Sequence, residues 1–329
     1  MRNNFIGERK ELLTELGGLP EPEIINEEWL YILKEETRNS IMIEGVFISE
    51  DELEEVLAKG VPLKKNQREA LNYFRAAKYF YGMAYENFKT GEFLFSLSMF
   101  KQIKKMIFEG INNSGDYRKG DVRVAGAKIN PPVSYDIERW LRLYKEYVEE
   151  NIYTADFIKL IATQHILFET IHPFEDGNGR TGRIILNYLF VSRGYPPIIL
   201  KGDDVNRKVY SKALEEGDRV LQKVTRGGFD KNKILKSLGS MKTKLMERII
   251  NEALKVSLDR IFINVMEAKR SIQLKPAKEV AEILGYSPDS MRTLINRGKF
   301  IAIKKGKEWF THERLGLGKT KRRSPGSKT

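Results

Sequence analysis

The chain of 329 residues contains no cysteine, only three histidines, and no apolar run long enough to cross a membrane. The absence of cysteine excludes disulfides, thiolate nucleophiles, iron–sulfur clusters and thiolate zinc sites. His165, His172 and His312 are too few for a histidine-rich metal centre. The amino terminus lacks the apolar core of a secretory signal, so we expect a cytoplasmic protein with no membrane partner. Its chemistry must therefore use histidine, carboxylates, hydroxyls and arginines.

The charged residues are distributed unevenly along the chain. The net charge is +12, with 31% of the residues charged and 41% hydrophobic, which is typical of a folded protein. From residue 271 onward there are fourteen Lys or Arg and five Asp or Glu, whereas the preceding 270 residues hold 43 basic and 40 acidic residues. A near-neutral body followed by a basic segment suggests a separate module that faces a polyanion. A solvated basic tail has the same composition, and composition alone leaves both interpretations open.

Apolar residues at three- and four-residue spacing predict a mainly α-helical fold. The predicted helices cover residues 27–44, 66–88, 93–108, 134–149, 155–170 and 180–191, and a long polar helix covers about 231–269. The rhythm breaks between residues 116 and 130, where Val122 and Val124 alternate with charged residues. This alternation favours a short β-hairpin that forms a flap on the helical body.

The basic segment predicts two short helices followed by a β-hairpin. Gly285 ends the first helix, and Ser287 with Pro288 supplies the start signals of the second. The helices are predicted at residues 278–284 and from 287 to about 297, and the strands at 300–303 and 308–311. The predicted domains are a helical region at 1–90, a core at 91–230, a linking helix at 231–269, the basic unit at 270–318 and a disordered basic tail at 319–329.

One segment, HPFEDGNGRTGR at residues 172–183, contains residue types that are suited to binding phosphates. It joins two predicted helices, so the backbone amides of Gly177, Asn178 and Gly179 lie at a helix amino terminus, where unpaired N–H groups and the helix dipole favour an anion. Arg180 and Arg183 are three residues apart and share a helical face. The segment therefore predicts an anion cradle with two arginines.

Two further side chains of the segment point to transfer chemistry. Asp176 offers a hard oxygen ligand beside the cradle, which suits a magnesium ion that bridges phosphates. His172 is the only nearby side chain whose ordinary pKa of about 6.5 suits a proton acceptor near neutral pH. A base, a metal ligand, a cradle and two arginines together describe transfer from a nucleoside triphosphate. The alternative is a glycine loop with a structural histidine, and the concentration of all these groups in one segment argues against it.

The segment is similar to the signature of the Fic family, HPFx(D/E)GNGRxxR, and matches it at every specified position. Residues 165–172 resemble the helix that precedes the signature, and Asp116-Tyr117-Arg118 resembles the approach to the family's flap. The resemblance covers roughly residues 27–223. It implies an all-helical core, ATP with Mg²⁺, and transfer of AMP to a hydroxyl side chain of a protein with release of pyrophosphate.

The resemblance also implies a role for individual residues. His172 would take the proton from the target Ser, Thr or Tyr hydroxyl, and Asp176 would hold Mg²⁺. The residues implied in phosphate binding are Gly177, Asn178, Gly179, Arg180 and Arg183. The flap at about 118–128 would pin the target segment, and Phe174 would anchor the loop in the core. Tyr210 and Leu214 resemble adenine-side contacts, although Tyr210 could equally belong to the core.

Gly179 bears on which group is transferred. Relatives that phosphorylate their targets usually carry lysine at this position, so the glycine points to the AMP-transferring branch. Phosphocholine transfer, a rarer activity of the family, is compatible with the same motif.

A second, shorter pattern precedes the core. Ser40 and Glu44 are four residues apart on one helical face, and Gly45 is a helix stop. An exposed helix end gives the same pattern, but the sequence is similar to the inhibitory motif (S/T)xxxE(G/N) of many Fic proteins. The resemblance implies that Glu44 pairs with Arg183 and occupies the space of the ATP γ-phosphate.

The basic unit resembles excisionase- or MerR-type winged helix–turn–helix domains, which implies DNA binding. The candidate base contacts are Ser290, Arg292, Thr293, Asn296 and Arg297, and the candidate phosphate contacts are Lys304, Lys305 and Lys307. A protein-docking winged helix is the alternative.

The sequence thus predicts a mainly α protein with a Fic-type helical core, a β-hairpin flap and a terminal winged helix–turn–helix. We interpret it as a protein adenylyltransferase restrained by Glu44, whose partners are a target protein, itself through self-modification, DNA, and a second copy in a homodimer. One alternative is a DNA-binding regulator whose Fic core only senses nucleotide, against which the intact His172 argues. Another is an enzyme that removes AMP from modified proteins.

Overall fold

The computed structural model describes residues 5–22, 27–111, 115–124, 128–154, 156–269 and 272–318. Within these ranges the fold is mainly helical. The chain divides into two compact units, one formed by Met1–Trp29 with Glu252–Thr329 and the other by Leu30–Asn251. Two helices contain residues of both units: α2 (Glu27–Ile43) and α12 (Lys244–Ala268). The predicted basic tail at 319–329 lies outside the described residues.

The larger unit contains the predicted helical core. Its other helices are α3 (Glu50–Lys59), α4 (Lys65–Thr90), α5 (Leu97–Ile107), α6 (Ile137–Asn151), α7 (Phe157–Ile171), α8 (Asn178–Ser192), α9 (Asp204–Asp218), α10 (Gln222–Arg226) and α11 (Lys231–Gly239). The six helices predicted between residues 27 and 191 are all present. The clearest shift of a boundary is in α5, which starts after Ser96 because the Ser96 side chain accepts from the backbone N–H of Met99 and caps the helix there.

Helix α8 lies at the centre of this unit. Nearly every residue of α8 is buried, and the helix packs against α4, α5 and α7. Such a helix, buried on all sides, is held in place by the helices around it. The loop before α8, which carries the signature segment, is therefore held by a rigid core element.

The prediction of one long helix at 231–269 is wrong. Two helices, α11 and α12, occupy this stretch, with residues 240–243 between them. The Ser240 hydroxyl bonds to the Ser237 carbonyl, and the Thr243 hydroxyl bonds to Glu247 at 2.6 Å. Short polar side chains that bond locally compete with the helical ladder, which explains the interruption.

The predicted flap hairpin is not confirmed. Residues 115–124 and 128–130 contain no strand, and 125–127 lie outside the described residues. Side-chain bonds organise this segment in place of a ladder: Asp121 accepts from the backbone N–H of Ser134 at 2.7 Å, and Arg118 binds several carbonyls.

The smaller unit contains α1 (Phe5–Glu15), α13 (Ala277–Leu284) and α14 (Pro288–Asn296), with strands β1 (Lys275–Pro276), β2 (Ile303–Lys305) and β3 (Glu308–Thr311). The strands form an antiparallel sheet in the order β1-β3-β2, with Ile303 paired to Phe310. The predicted stop at Gly285, with φ +71°, and the predicted cap at Ser287 are both confirmed. Strand β1 and helix α1 were not predicted.

A buried ion pair joins α1 to α12 inside the smaller unit. Arg9 Nε lies 2.6 Å from Asp259 Oδ1, and both side chains are almost fully buried. The Arg9 guanidinium also donates to the carbonyls of Gly298 and Phe300, at 2.8 and 2.9 Å. The amino-terminal helix is thus an integral part of the unit that contains α13 and α14.

Arg9→Met is expected to lower the free energy of unfolding of this unit by up to about 3 kcal/mol, because it leaves the buried Asp259 carboxylate with only Lys255, at 3.7 Å, as a cation among the described residues. The measurement is urea unfolding followed by tryptophan fluorescence, since two of the three tryptophans, Trp29 and Trp309, belong to this unit. Glu11→Gln, an exposed change on the same helix, is the control and should shift stability by less than about 0.5 kcal/mol. Equal midpoints for Arg9→Met and Glu11→Gln would contradict this role of the pair.

No helix within the described ranges is both long and apolar enough to span a membrane.

Candidate active site

The loop between α7 and α8 begins with a strained residue. His172 follows α7 with φ 49°, and no other non-glycine residue in the described ranges has a positive φ. Its N–H donates to the Phe168 carbonyl at 3.1 Å and closes the last turn of α7. This conformation costs about 1–3 kcal/mol and persists only where the surroundings hold it.

The imidazole of His172 is prepared to accept a proton at Nε2. Nδ1 lies 3.3 Å from the Glu169 carbonyl; because a carbonyl can only accept, Nδ1 carries the hydrogen in this contact and Nε2 keeps its lone pair. The pKa of His172 is lowered to about 4, chiefly by burial and also by the positive charge of Arg118, while the bond to Glu169 opposes the shift. The ring is therefore neutral near pH 7.

The residues predicted to form the anion cradle lie at the amino terminus of α8. Gly177 has φ +80° and precedes the helix, and a Cβ at this residue would lie 2.4 Å from the Phe108 ring. Asn178 Oδ1 accepts from the Phe174 N–H and Asn178 Nδ2 donates to the Phe174 carbonyl, both at 2.8 Å. The Asn178 side chain thus locks the loop and anchors Phe174, so only its backbone N–H is left for an anion.

Glu44 lies directly against the cradle. A Cβ at Gly179 would lie 2.4 Å from Glu44 Oε1, and the same oxygen accepts from Arg183 Nη2 at 2.7 Å. Ser40 holds the other edge of the guanidinium: its hydroxyl accepts from Nε at 2.6 Å and its carbonyl from Nη2 at 2.9 Å. Ser40 and Glu44, which the sequence placed on one helical face, therefore both bind Arg183, which is only 2% exposed.

Glu44 is the carboxylate that balances the charge of Arg183. Two other acids, Glu36 and Glu169, are near this arginine, and burial raises the pKa of each to about 8 although the charge of Arg183 opposes it. Both are therefore largely neutral at pH 7. Glu36 instead binds the Tyr73 hydroxyl at 2.5 Å, which helps to fix α2 to α4.

Arg180 has a different set of partners. Its Nη1 donates to Glu69 at 2.7 Å, its Nη2 lies 3.4 Å from Asp176, and the guanidinium stacks on Phe108 at 4.5 Å from the ring centroid. Lys104, whose pKa burial lowers to about 8, lies over the same ring. Sequence reasoning missed Glu69, Phe108 and Lys104 because they belong to α4 and to the α5 region, more than sixty residues before the signature.

Asp176 fits a magnesium ligand. Its side chain is 65% exposed, and Oδ1 accepts from the Gly177 N–H at 2.5 Å, which fixes the carboxylate at the edge of the cradle. No cluster of three or more His, Asp or Glu side chains suitable for a metal occurs within the described ranges. Mg²⁺ commonly takes one or two carboxylates and completes its shell with phosphates and water, so a single carboxylate beside an anion cradle is sufficient.

The adenine-side candidates lie in different surroundings. Tyr210 is 5% exposed, and its hydroxyl is 2.7 Å from His165 Nε2, so it belongs to the core, as the alternative interpretation had it. Burial lowers the pKa of His165 to about 3, which keeps this ring neutral. Leu214 is half-buried, one turn further along α9.

In the smaller unit, the candidate DNA contacts all lie on the surface. Met291 and Ile295 point from α14 into a core shared with Val280 and Phe300. The exposed residues are Ser290, Arg292, Thr293, Asn296 and Arg297 on or just after α14, and Lys304, Lys305 and Lys307 in and after β2.

Comparison with known proteins places the chain in a family. Residues 94–190 match the model of the Fic/DOC family. A probable protein adenylyltransferase of Aquifex aeolicus is 33% identical over 297 residues, which cover 87% of each chain. The protein adenylyltransferase Fic of Drosophila erecta is 33% identical over 106 residues, and this match spans only 21% of the fly protein. The extent of the Aquifex match shows that the chain belongs to the Fic/DOC family.

Solved structures share the fold. A Fic-domain signalling protein of Bacteroides thetaiotaomicron superimposes with a TM-score of 0.60 at 19% identity, covering 78% of this chain and 97% of the other. Fic-1 of Caenorhabditis elegans, residues 134–508, gives 0.59 at 20% identity, with 80% and 72% covered. The helical core is thus a Fic fold.

Proposed function

We propose that the chain transfers AMP from ATP to a Ser, Thr or Tyr hydroxyl of a protein, with Mg²⁺ at Asp176. It is a protein adenylyltransferase, as its relatives are named. The observation that carries the detailed proposal is the neutral imidazole of His172 at the entrance to a helix-terminal anion cradle.

In the proposed reaction, His172 Nε2 takes the proton of the target hydroxyl. The hydroxyl oxygen forms a bond to the α-phosphorus of ATP, the bond between that phosphorus and the α,β-bridging oxygen breaks, and pyrophosphate leaves with the electron pair. The backbone N–H groups of Asn178 and Gly179 and the guanidinium of Arg183 stabilise the negative charge of the phosphates. Mg²⁺ bound at Asp176 would neutralise further phosphate charge.

Glu44 acts as a brake in this proposal. Its carboxylate lies against Gly179 and pairs with Arg183, so it occupies the position that a terminal phosphate needs. Two anions cannot share one arginine and one helix terminus without strong repulsion. ATP would therefore bind productively only after Glu44 leaves.

The position of the radioactive phosphorus in ATP identifies which group is transferred. Wild-type protein and the Glu44→Gly variant are each incubated with Mg²⁺ and either α-³²P- or γ-³²P-labelled ATP, and label on the protein is measured. Label from the α position alone supports AMP transfer, whereas label from the γ position would mean phosphorylation. Binding of ATP with no label from either position would favour a nucleotide-sensing core, and loss of AMP from a pre-modified protein would favour AMP removal. Labelled CDP-choline in a parallel reaction tests phosphocholine transfer.

We also propose that the smaller unit binds DNA as a winged helix–turn–helix. The support is that α14 and the β2–β3 turn place all eight candidate contacts on the surface, in a segment with a large excess of positive charge. The self-association of the chain as a homodimer stays a prediction.

The full chain is expected to bind duplex DNA with an affinity that falls steeply as salt rises. Replacing Lys304, Lys305 and Lys307 with Ala should reduce the magnitude of the slope of log K against log salt by about 2.7 if each lysine contacts one phosphate. Asn296→Ala should weaken binding to a preferred DNA sequence more than binding to other sequences. Fluorescence anisotropy over a salt series measures both effects.

The matched control removes three exposed lysines from the larger unit. Changing Lys59, Lys64 and Lys65 to Ala lowers the net charge equally but should leave the salt slope unchanged. If no duplex binds even at low salt, the unit docks to protein instead.

A further inference from the structure

Arg118 is a buried arginine that binds main-chain carbonyls of three separate segments. It is 3% exposed. Its Nε donates to the His172 carbonyl at 2.8 Å, Nη1 to the Gly120 carbonyl at 2.9 Å and Nη2 to the Pro132 carbonyl at 2.5 Å. Its own backbone N–H donates to the Pro173 carbonyl at 2.9 Å. One residue thus binds two consecutive carbonyls of the signature loop.

The guanidinium of Arg118 is only loosely paired with a carboxylate. Within the described ranges its nearest acid is Asp121, at 3.8 Å, and the Asp121 side chain is mostly exposed. Burial lowers the pKa of Arg118, with Asp121 opposing the shift. A buried cation that is bound mainly by neutral carbonyls, with the nearby Asp121 carboxylate at 3.8 Å and mostly exposed, is costly, so an apolar residue would serve packing better. The arrangement is explained if the three carbonyls themselves must be held.

His172 is the residue that needs to be held. Its φ of 49° is unfavourable for a side chain with a Cβ, and Pro173 restricts it further because a residue before proline is biased towards extended conformations. Its N–H and Nδ1 are bound to Phe168 and Glu169 of α7. Its carbonyl is bound by Arg118. Removing Arg118 therefore releases the His172 carbonyl, which the contacts with α7 do not hold.

We propose that Arg118 is a positioning residue for AMP transfer, which fixes the main chain of His172 and links it to residues 118–124, the described part of the segment that is expected to bind the target. This inference rests on the proposed function, because it assigns His172 the role of base. It adds to that function the assignment of the Arg118 guanidinium as the group that aligns His172 with the target segment.

The first test separates positioning from binding. In the full chain, Arg118→Gln should lower kcat for AMP transfer by about 10- to 100-fold, since a misplacement of about 1 Å can cost about 100-fold. The KM for ATP should stay within about twofold, because the cradle is built by α8. Arg118→Lys should recover part of kcat, since one ammonium can still bind the His172 carbonyl. Arg142→Gln, an exposed change on α6, is the matched control.

The second test does not depend on activity. The chain has only three histidines, so the His172 ring signals can be assigned in an NMR spectrum of histidine-labelled protein with His172→Gln. The charged groups that act on the ring are Arg118, which lowers its pKa, and Glu44 and Asp176, which raise it. Arg118→Gln should therefore shift the His172 signals and raise their titration midpoint, while the buried His165 keeps its signals and reports an intact core.

The outcomes are distinguishable. If neither the wild-type protein nor Glu44→Gly transfers AMP, the proposed function fails, whereas the His172 signals still test whether Arg118 holds the loop. Unchanged kcat in Arg118→Gln, or a lowered kcat with unaltered His172 signals, would overturn the positioning role. If Arg118→Gln loses the His165 signals and fails to fold, the Arg118→Lys variant decides the question by the same two measurements.

Discussion

His172→Ala is expected to retain ATP binding and to transfer AMP at no more than about 1% of the wild-type rate, since general-base catalysis typically contributes about 10²–10⁴-fold. The neutral imidazole is held with Nε2 free, whereas the cradle consists of the amides of α8 and of Arg183. Losing the ring therefore removes the proton acceptor and leaves the phosphate contacts in place.

Initial rates of labelling from α-³²P-ATP, with the ATP affinity measured by calorimetry, provide the test. His312→Ala is the matched control, because this histidine belongs to the other unit, where it accepts from the N–H of Arg314. Wild-type labelling by His172→Ala would remove His172 from the mechanism. A loss of ATP affinity together with activity would mean that the histidine supports the cradle rather than the chemistry.

The second large effect is expected at Glu44. Glu44→Gly should raise the rate of AMP transfer, including self-modification, by at least about tenfold, which needs only about 1.4 kcal/mol. The carboxylate that lies against Gly179 accepts a charge-assisted bond from Arg183, and such bonds contribute about 1.5–3 kcal/mol. Removing it frees both the arginine and the amino terminus of α8 for a phosphate.

A graded series sharpens this test. Ser40→Ala removes one bond to Arg183 but leaves Glu44 in place, so its increase should be smaller than that of Glu44→Gly. Glu44→Gln keeps the shape of the side chain and loses its charge, so its rate of AMP transfer should fall between those of Ser40→Ala and Glu44→Gly. Equal labelling rates for wild type and Glu44→Gly would show that Glu44 is no brake. Loss of AMP-removing activity in Glu44→Gly would instead assign the carboxylate to that reaction.

Local sequence was sufficient for the features that depend on residues close together in the chain. The helices between residues 27 and 191 follow from apolar periodicity, and the Ser287 cap and the Gly285 stop follow from local backbone preferences. The position of Gly177 and Asn178 at the start of a helix was predictable for the same reason, since they belong to one loop and one helix terminus. These interactions span fewer than about five residues, so their geometry is nearly independent of the rest of the fold.

Long-range contacts depend on the tertiary structure, because their partners are far apart in the sequence and no local pattern specifies them. The pairing of Arg180 with Glu69 and the burial of Tyr210 against His165 are of this kind. The division into units is another example, since the Arg9–Asp259 pair brings α1 to the carboxy-terminal helices. Only the packed fold lets Arg118 reach the carbonyl of His172, fifty-four residues away. The candidate residues of the signature can therefore be named from the sequence. Their distant partners and their alignment depend on the packed core that excludes water around them.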